Sequence, residues 1–392
     1  MEGKRIYVDH SATTPLRREV LDVMIPYFSE NFGNASTVYA EGREAKKAVN
    51  LARQQVAKAI GAEENEVFFT GSGTEADNWA IRGVAFANKE KGNHIITSAV
   101  EHHAVLHTCM ALEKEGFEVT YLPVDEYGMV SPEAVSAAIT DKTILVSIMT
   151  ANNEIGTIMP IEQIGKIVKE KGIIFHTDAV QAIGMMEIDV NRMNVDLLSL
   201  TGHKFYGPKG TGALYVRKGT KLNSFITGGG QEKNRRAGTE SVPAIVGLGK
   251  AIELATSDIK GHTEKLQAMR DRFIDRVLSE IPYTRLNGHR TERLSSNANI
   301  SFEFIEGESL LLMLDMKGIS ASSGSACTSG SLDPSHVLLA IGLKHEVAHG
   351  SLRVTFGESN SPRDVDIIVD ELKEIVARLR AMSPLYEAVE KN

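Results

Sequence analysis

Four side chains in this sequence stand where they could share one piece of chemistry. Lys204 lies in Ser199-Leu200-Thr201-Gly202-His203-Lys204-Phe205, just past an apolar run that reads as a buried strand. A lysine at the carboxyl end of a central strand sits where α/β folds place ligands. Partly desolvated there, its amine is neutral often enough to form an imine. Thr201 and His203 flank it as phosphate donors. Asp178 ends a second apolar run in His176-Thr177-Asp178-Ala179-Val180-Gln181. A carboxylate there suits the pyridinium nitrogen of an electron-sink cofactor, with Gln181 at the ring hydroxyl. Capping a helix is the other common use of such an aspartate.

His102 follows a third strand in Ser98-Ala99-Val100-Glu101-His102-His103. Its imidazole can stack on a planar ring and move protons near neutral pH. His102, His103 and His107 also have a metal reading, His103 and His107 being one helical turn apart, but no second ligand cluster lies nearby in sequence. Thr70-Gly71-Ser72-Gly73-Thr74-Glu75 opens a helical pattern after a strand. Small residues there let backbone N–H groups approach an anion at a helix N-terminus, and Thr74 adds a hydroxyl. The spacing is neither Gly-x-Gly-x-x-Gly nor a P-loop, so a dinucleotide or ATP is not the natural ligand; an ordinary glycine-rich turn explains it as well.

The fourth group is Cys327, one of two cysteines. Ser320 to Pro334 is almost wholly small and polar, so the stretch buries little apolar area and should be mobile. A thiol on such a loop can enter a site, attack, and leave with its product. Cys109 instead lies on an amphipathic helical pattern, where a thiol is core filling. His345-Glu346-Val347-Ala348-His349 has the spacing of a zinc-binding helix, but Gly350 and a strand-like run follow at once, so no metal site is expected.

Elements that would position these groups follow from about residue 66, where short apolar runs alternate with helical patterns. Strands are expected at Val67–Thr70, His94–Thr97, Val119–Leu122, Ile144–Met149, Ile173–Thr177, Leu197–Leu200 and Gly212–Val216. Several are apolar on both faces, as in a mostly parallel, doubly covered sheet. A long helical stretch from about Pro243 to Ser279 leads to a smaller unit with strands at Ala298–Phe304, Ile319–Ala321 and Ser351–Phe356. The division expected is a large domain, residues 15–258, and a small domain of residues 1–14 and 259–392 carrying Cys327. The 392 residues have a formal net charge of −8, with 42% hydrophobic and 24% charged residues. That balance disfavours a nucleic-acid or membrane-surface binder. Two thiols, no signal core and no apolar run of about 18 residues make a cytoplasmic protein the expectation.

Gly73-Thr74-Glu75, Glu101-His102-His103, Ala151-Asn152-Asn153-Glu154-Ile155-Gly156, Asp178-Ala179-Val180-Gln181, Gly202-His203-Lys204 and Ser323-Gly324-Ser325-Ala326-Cys327 occur in the order seen in NifS/IscS-type cysteine desulfurases. The chain resembles that group of the class V aminotransferase family from Tyr7 to Leu385. The resemblance implies an α/β, fold type I architecture with a seven-stranded sheet and pyridoxal 5'-phosphate as cofactor. It implies that Lys204 binds the cofactor covalently, Asp178 its pyridine nitrogen and Gln181 its phenolic oxygen. His102 would stack on the ring, with Gly73, Thr74, Thr201 and His203 around the phosphate. Asn153 and Arg353 look like the substrate-carboxylate pair, and the planar fork of an arginine suits a bidentate carboxylate.

The segment Gly228–Glu240 resembles one that reaches a neighbouring subunit, with Thr239 at the phosphate across a homodimer interface; otherwise Lys233, Arg235 and Arg236 read as a solvated charge run. Thr201 where Ser is more frequent, Ala237 where a small polar residue is frequent, and the less usual His10 depart from the family pattern. The implied reaction converts L-cysteine to L-alanine, with sulfur passing to Cys327 as a persulfide and on to an acceptor such as an iron–sulfur scaffold or a tRNA-thiolation protein. Cys327 would also serve as a transient iron–sulfur ligand. A selenocysteine or cystine lyase, a class V aminotransferase and a catalytically idle sulfur relay are the other readings; intact Lys204 and Asp178 disfavour the last.

Overall fold

The computed structural model describes residues 5–323 and 334–390. The chain enters through a two-residue strand, β1 (Ile6–Tyr7), and then builds seven strands: β2 (Val67–Thr70), β3 (His94–Ser98), β4 (Glu118–Leu122), β5 (Thr143–Ser147), β6 (Ile174–Asp178), β7 (Leu197–Thr201) and β8 (Gly212–Val216). They form one sheet in the order β2-β8-β7-β6-β5-β3-β4. β7, β6, β5, β3 and β4 run parallel, while β8 is antiparallel to both its neighbours.

Alternation along these strands explains why the sheet must be covered twice. Phe68, Ile95, Leu145, Leu197 and Leu214 enter one buried cluster with Trp79 and Cys109. Their neighbours Phe69, Ile96, Val146, Leu198 and Ala213 enter the other. Side chains alternate across a pleated sheet, so a strand apolar at consecutive positions is stable only with helices on both faces. The helices Ala40–Ile60 and Val242–Thr256 cover the second face. They approach closely because Gly249 carries no side chain: a Cβ there would lie 2.6 Å from the Cα of Ala52.

The second unit is built on β9 (Thr284–Asn287), β10 (Asn297–Phe302), β11 (Ile319–Ser320) and β12 (Ser351–Thr355). β12, β10 and β9 make an antiparallel sheet, and β1 pairs with β11 in parallel. Phe273, Ile300, Phe302, Val354, Ile368 and Leu372 fill a separate core between this sheet and the helices Ile259–Glu280 and Pro362–Ala381.

Two features differ from the sequence expectation. The helical stretch expected from Pro243 to Ser279 is two helices, parted at Ser257-Asp258, where the Asp258 side chain accepts the Gly261 N–H at 2.9 Å and starts the second. β9 was not expected, because as an edge strand with only Asn287 fully buried it lacks a continuous apolar signature. No helix among the described residues is long and apolar enough to cross a membrane.

Candidate active site

A cavity of about 300 Å³ opens at the carboxyl ends of the parallel strands, lined by Gly73, Thr74, His102, Asn153, Asp178, Gln181, Thr201, His203, Lys204 and Arg353. The fold thus brings together in one cavity every sequence-predicted site residue except Thr239 and Cys327. Carboxyl ends of parallel strands are where open α/β sheets bind ligands, since the loops there diverge.

Lys204 stands one short turn past β7, and its Nζ donates to the carbonyls of Ser11 (2.5 Å) and Ala12 (2.8 Å). Those carbonyls come from the N-terminal segment that β1 ties to the small unit. The floor opposite is acidic. Asp178, at the end of β6, accepts the Val180 N–H at 2.9 Å; it caps a turn and not a helix, and still faces the cavity. Burial raises its carboxyl to about 6, against the Val180 hydrogen bond and the Lys204 charge, which favour ionisation. Gln181 gives an amide proton to the Ser11 carbonyl at 3.0 Å, fixing that side chain beside Lys204.

His102 is the N-cap of the helix His103–Glu113, and its Nδ1 accepts the Ala104 N–H at 3.1 Å. Burial first, then the Lys204 charge, lower its pKa to about 4. At neutral pH the ring is therefore uncharged, with its proton on Nε2, suited to stacking and to donating from that atom.

The anion end forms where Ser72 caps the helix Gly73–Ala87 by accepting the Glu75 N–H at 3.1 Å. At Gly73 a Cβ would come within 2.9 Å of Val180 Cγ2, so any larger residue would have to push Val180 aside. Thr201 lines this end, but its hydroxyl proton goes to the Thr211 carbonyl at 2.8 Å, leaving the oxygen as an acceptor. His203 Nδ1 lies 3.2 Å from Thr13 Oγ1.

Arg353 reaches the cavity from β12, with its side chain only 4% exposed. Its Nη2 donates to Asp9 Oδ1 (2.9 Å) and its Nη1 to the Asn153 carbonyl (3.1 Å), while the buried Nε has no partner among the described residues. Asn153 is presented by a tight turn, in which the Asn152 Oδ1 accepts the N–H groups of Glu154 (2.8 Å) and Ile155 (2.9 Å). Backbone hydrogen bonds in both directions join Arg353 to Ser322, so the strand carrying the guanidinium adjoins the segment leading toward Cys327. Cys327 itself lies outside the described residues. Cys109 is fully buried and its thiol is pushed up to about 12, chiefly by burial, as an inert core thiol would be.

Thr239 is exposed on the segment after β8 and does not line its own chain's cavity. That segment is moored over β2 and the anion turn. Arg53 grips Glu232 with two hydrogen bonds (2.8 and 2.7 Å), and Glu232 also accepts the Phe69 N–H at 3.0 Å. Arg236 holds Glu75, whose other role is to accept the Gly71 N–H at 2.7 Å. Arg236 is thus an ion-pair partner and no solvated charge. His10 is buried, its ring edge-on to Tyr7 at 5.0 Å. The helix His345–His349 ends at Gly350, directly before β12.

Sequence reasoning missed the buried polar groups behind the site. Glu101 lies under the floor, with Oε1 accepting from Ser98 Oγ (2.6 Å) and the Met149 N–H (3.0 Å). Asp77 lines the cavity with His176 behind it, and Asp9 pairs with Arg353. Asp77 lies four residues past Gly73 on an amphipathic helix, and that inward position was the signal available for it.

The residues fit pyridoxal phosphate. A lysine, a buried acid for a ring nitrogen and a helix N-terminus for a phosphate line one cavity, and the unpartnered Arg353 Nε and Asp77 Oδ1 show polar capacity there that the protein leaves unmet.

The aminotransferase class-V family model matches residues 6–368. A cysteine desulfurase IscS of Methanosarcina thermophila is 62% identical over 98% of this chain and 95% of its own, and one from Clostridium botulinum is 59% identical over 100% and 99%. Among solved structures, a NifS-like protein superposes with a TM-score of 0.90 at 36% identity over 96% of this chain and all of its own. The structure titled SspA in complex with cysteine gives 0.80 at 40% identity over 90% and 98%. With the family model spanning most of the chain and these relatives matching its whole length, the chain belongs to the class-V aminotransferase family, in its group of pyridoxal-phosphate-dependent cysteine desulfurases.

Proposed function

We propose that this cavity removes sulfur from free L-cysteine and that Cys327 takes it. The observation that supports this most is the convergence of Lys204, Asp178 and Arg353 on one cavity from three separate strands. Lys204 is the amine that would bind the cofactor covalently, with Asp178 at the ring nitrogen, Gln181 at the ring hydroxyl and His102 over the ring. Gly73, Thr74 and His203 would hold the phosphate, and Thr201 would join them by turning its hydroxyl away from the Thr211 carbonyl. When bound, pyridoxal phosphate supplies an electron sink conjugated to the substrate amine.

This chain's own residues do the rest. Arg353 and Asn153 hold the substrate carboxylate, and the partnerless Nε of Arg353 gives the fork an added donor for it. Lys204 Nζ, kept close by the Ser11 and Ala12 carbonyls, takes and returns the proton at the substrate α-carbon. His102 holds a proton at Nε2, ready to give. The Cys327 thiolate attacks the substrate sulfur: a sulfur–sulfur bond forms, the carbon–sulfur bond breaks with its electron pair left on carbon, and a proton there completes L-alanine.

A homodimer fits the exposed apolar residues Phe28, Phe32, Val38 and Tyr39 near the N-terminus and the exposure of Thr239, which would reach the partner's phosphate site. Sulfur would pass from Cys327 to an iron–sulfur scaffold or a thiolation protein in a cytoplasmic setting. Alanine release from cysteine tests the reading. The Cys327→Ala variant should lose sulfur transfer while Cys109→Ala keeps it; equal loss in both would refute the assignment.

A further inference from the structure

Asp77 is a carboxyl for which the reaction described above has no use. It lies one turn into the helix Gly73–Ala87, is 1% exposed, lines the cavity, and its buried Oδ1 has no hydrogen-bond partner among the described residues. A carboxyl oxygen of Asp77, one of Asp178 and a ring nitrogen of His102 lie within 4.8 Å of one another. Two carboxylates that close, both out of water, do not ionise together; one keeps a proton.

The surroundings decide which. Asp178 accepts the Val180 N–H and feels the Lys204 charge, and both favour its ionised form. Among the described residues Asp77 has one ion-pair partner, a histidine. From β6 it faces His176, whose Nε2 is 3.6 Å away. That fully buried ring is bracketed by Ser147 Oγ (2.8 Å) and Ser199 Oγ (3.0 Å), and burial lowers its pKa to about 3, so it stays neutral. From β7 comes the Ser199 hydroxyl, and from the turn after β3 the neutral His102 and the acid Glu101. Burial, then the Asp178 charge, push the Asp77 carboxyl well above its ordinary range, against the Ser199 hydroxyl, which favours the ionised form; Glu101 adds a smaller upward push.

We propose that Asp77 is a positioning residue, a carboxylic acid that keeps its proton at neutral pH and, by staying uncharged beside Asp178, leaves Asp178 ionised for the pyridine nitrogen. The inference rests on the reading of Asp178 given above. An ionised Asp77 would force the proton onto Asp178 and remove the anion from the ring nitrogen. A neutral Asp77 sets no like charge beside the Asp178 anion, within 4.8 Å of it and out of water.

The test uses the holoenzyme, with the absorption band of the bound cofactor followed between about pH 6 and 10 and cofactor release measured into a scavenging apoenzyme. Asp77→Asn fixes the neutral form, and Asp77→Ser repeats this with a smaller uncharged group. Both should keep the wild-type band at neutral pH and lose the alkaline spectral change that Asp77 ionisation causes in wild type. Asp178→Asn should release cofactor at least about tenfold faster, the loss expected for a hydrogen bond to a charged group. If Asp77→Asn and Asp77→Ser release cofactor as fast as Asp178→Asn, or keep the alkaline change, the proton assignment is overturned. If Asp178→Asn retains both wild-type band and release rate, the Asp178 reading fails first and the inference with it.

Discussion

Replacing Glu101 by Gln should stabilise the cofactor-free protein more strongly as the pH rises. Glu101 is 1% exposed, and burial raises its carboxyl from 4.5 to about 8, against the Ser98 and Met149 hydrogen bonds. An acid whose pKa is higher in the folded state holds its proton there longer than in the unfolded chain. Its contribution is therefore complete below the unfolded value and is lost as pH climbs through the folded one. Linkage over that interval is worth about 5 kcal/mol once the carboxyl is fully ionised, and about 3 kcal/mol of it falls between about pH 5.5 and 8.5. Gln keeps the oxygen that accepts from Ser98 and Met149 but cannot ionise. Urea unfolding of the apoprotein at several pH values measures the difference between variant and wild type. It should widen in favour of the variant by about 3 kcal/mol over that range. A difference that stays constant with pH would refute the reasoning, because it would mean Glu101 titrates alike in the folded and unfolded chains.

Two further outcomes follow from ion pairs around the cavity. Arg53→Ala leaves Glu232 buried without its partner, both side chains now being under 10% exposed (7% and 2%). The variant should lose about 3–5 kcal/mol of stability in denaturant titration, or expel Glu232 and open the segment through Thr239 to proteolysis. Arg353→Lys keeps the charge but not the planar fork, so KM for cysteine should rise about tenfold or more, with kcat less affected, in steady-state alanine assays.

Much of the site was legible before any coordinates because its chemistry is punctuated locally. Lys204 and Asp178 each follow an apolar run too short and too apolar to be anything but a strand buried on both faces, and strand ends in such sheets are where ligands bind. Gly73 was readable because small residues between a strand and a helix start mark a turn where backbone N–H groups can approach an anion. The edge strand β9 and the break at Asp258 escaped, since a half-exposed strand and a two-residue helix junction leave little hydrophobic signal.

The sequence by itself determined which groups can react, the parallel sheet that carries them and the contrast between a core thiol at Cys109 and a small-residue stretch around Cys327. Only the tertiary structure decided how they are charged. Asp77 beside Asp178, Glu101 under the floor, Asp9 against Arg353 and the Ser11 and Ala12 carbonyls on Lys204 join residues far apart along the chain. The field at a buried group depends on distance and desolvation, and neither quantity is written in the order of residues.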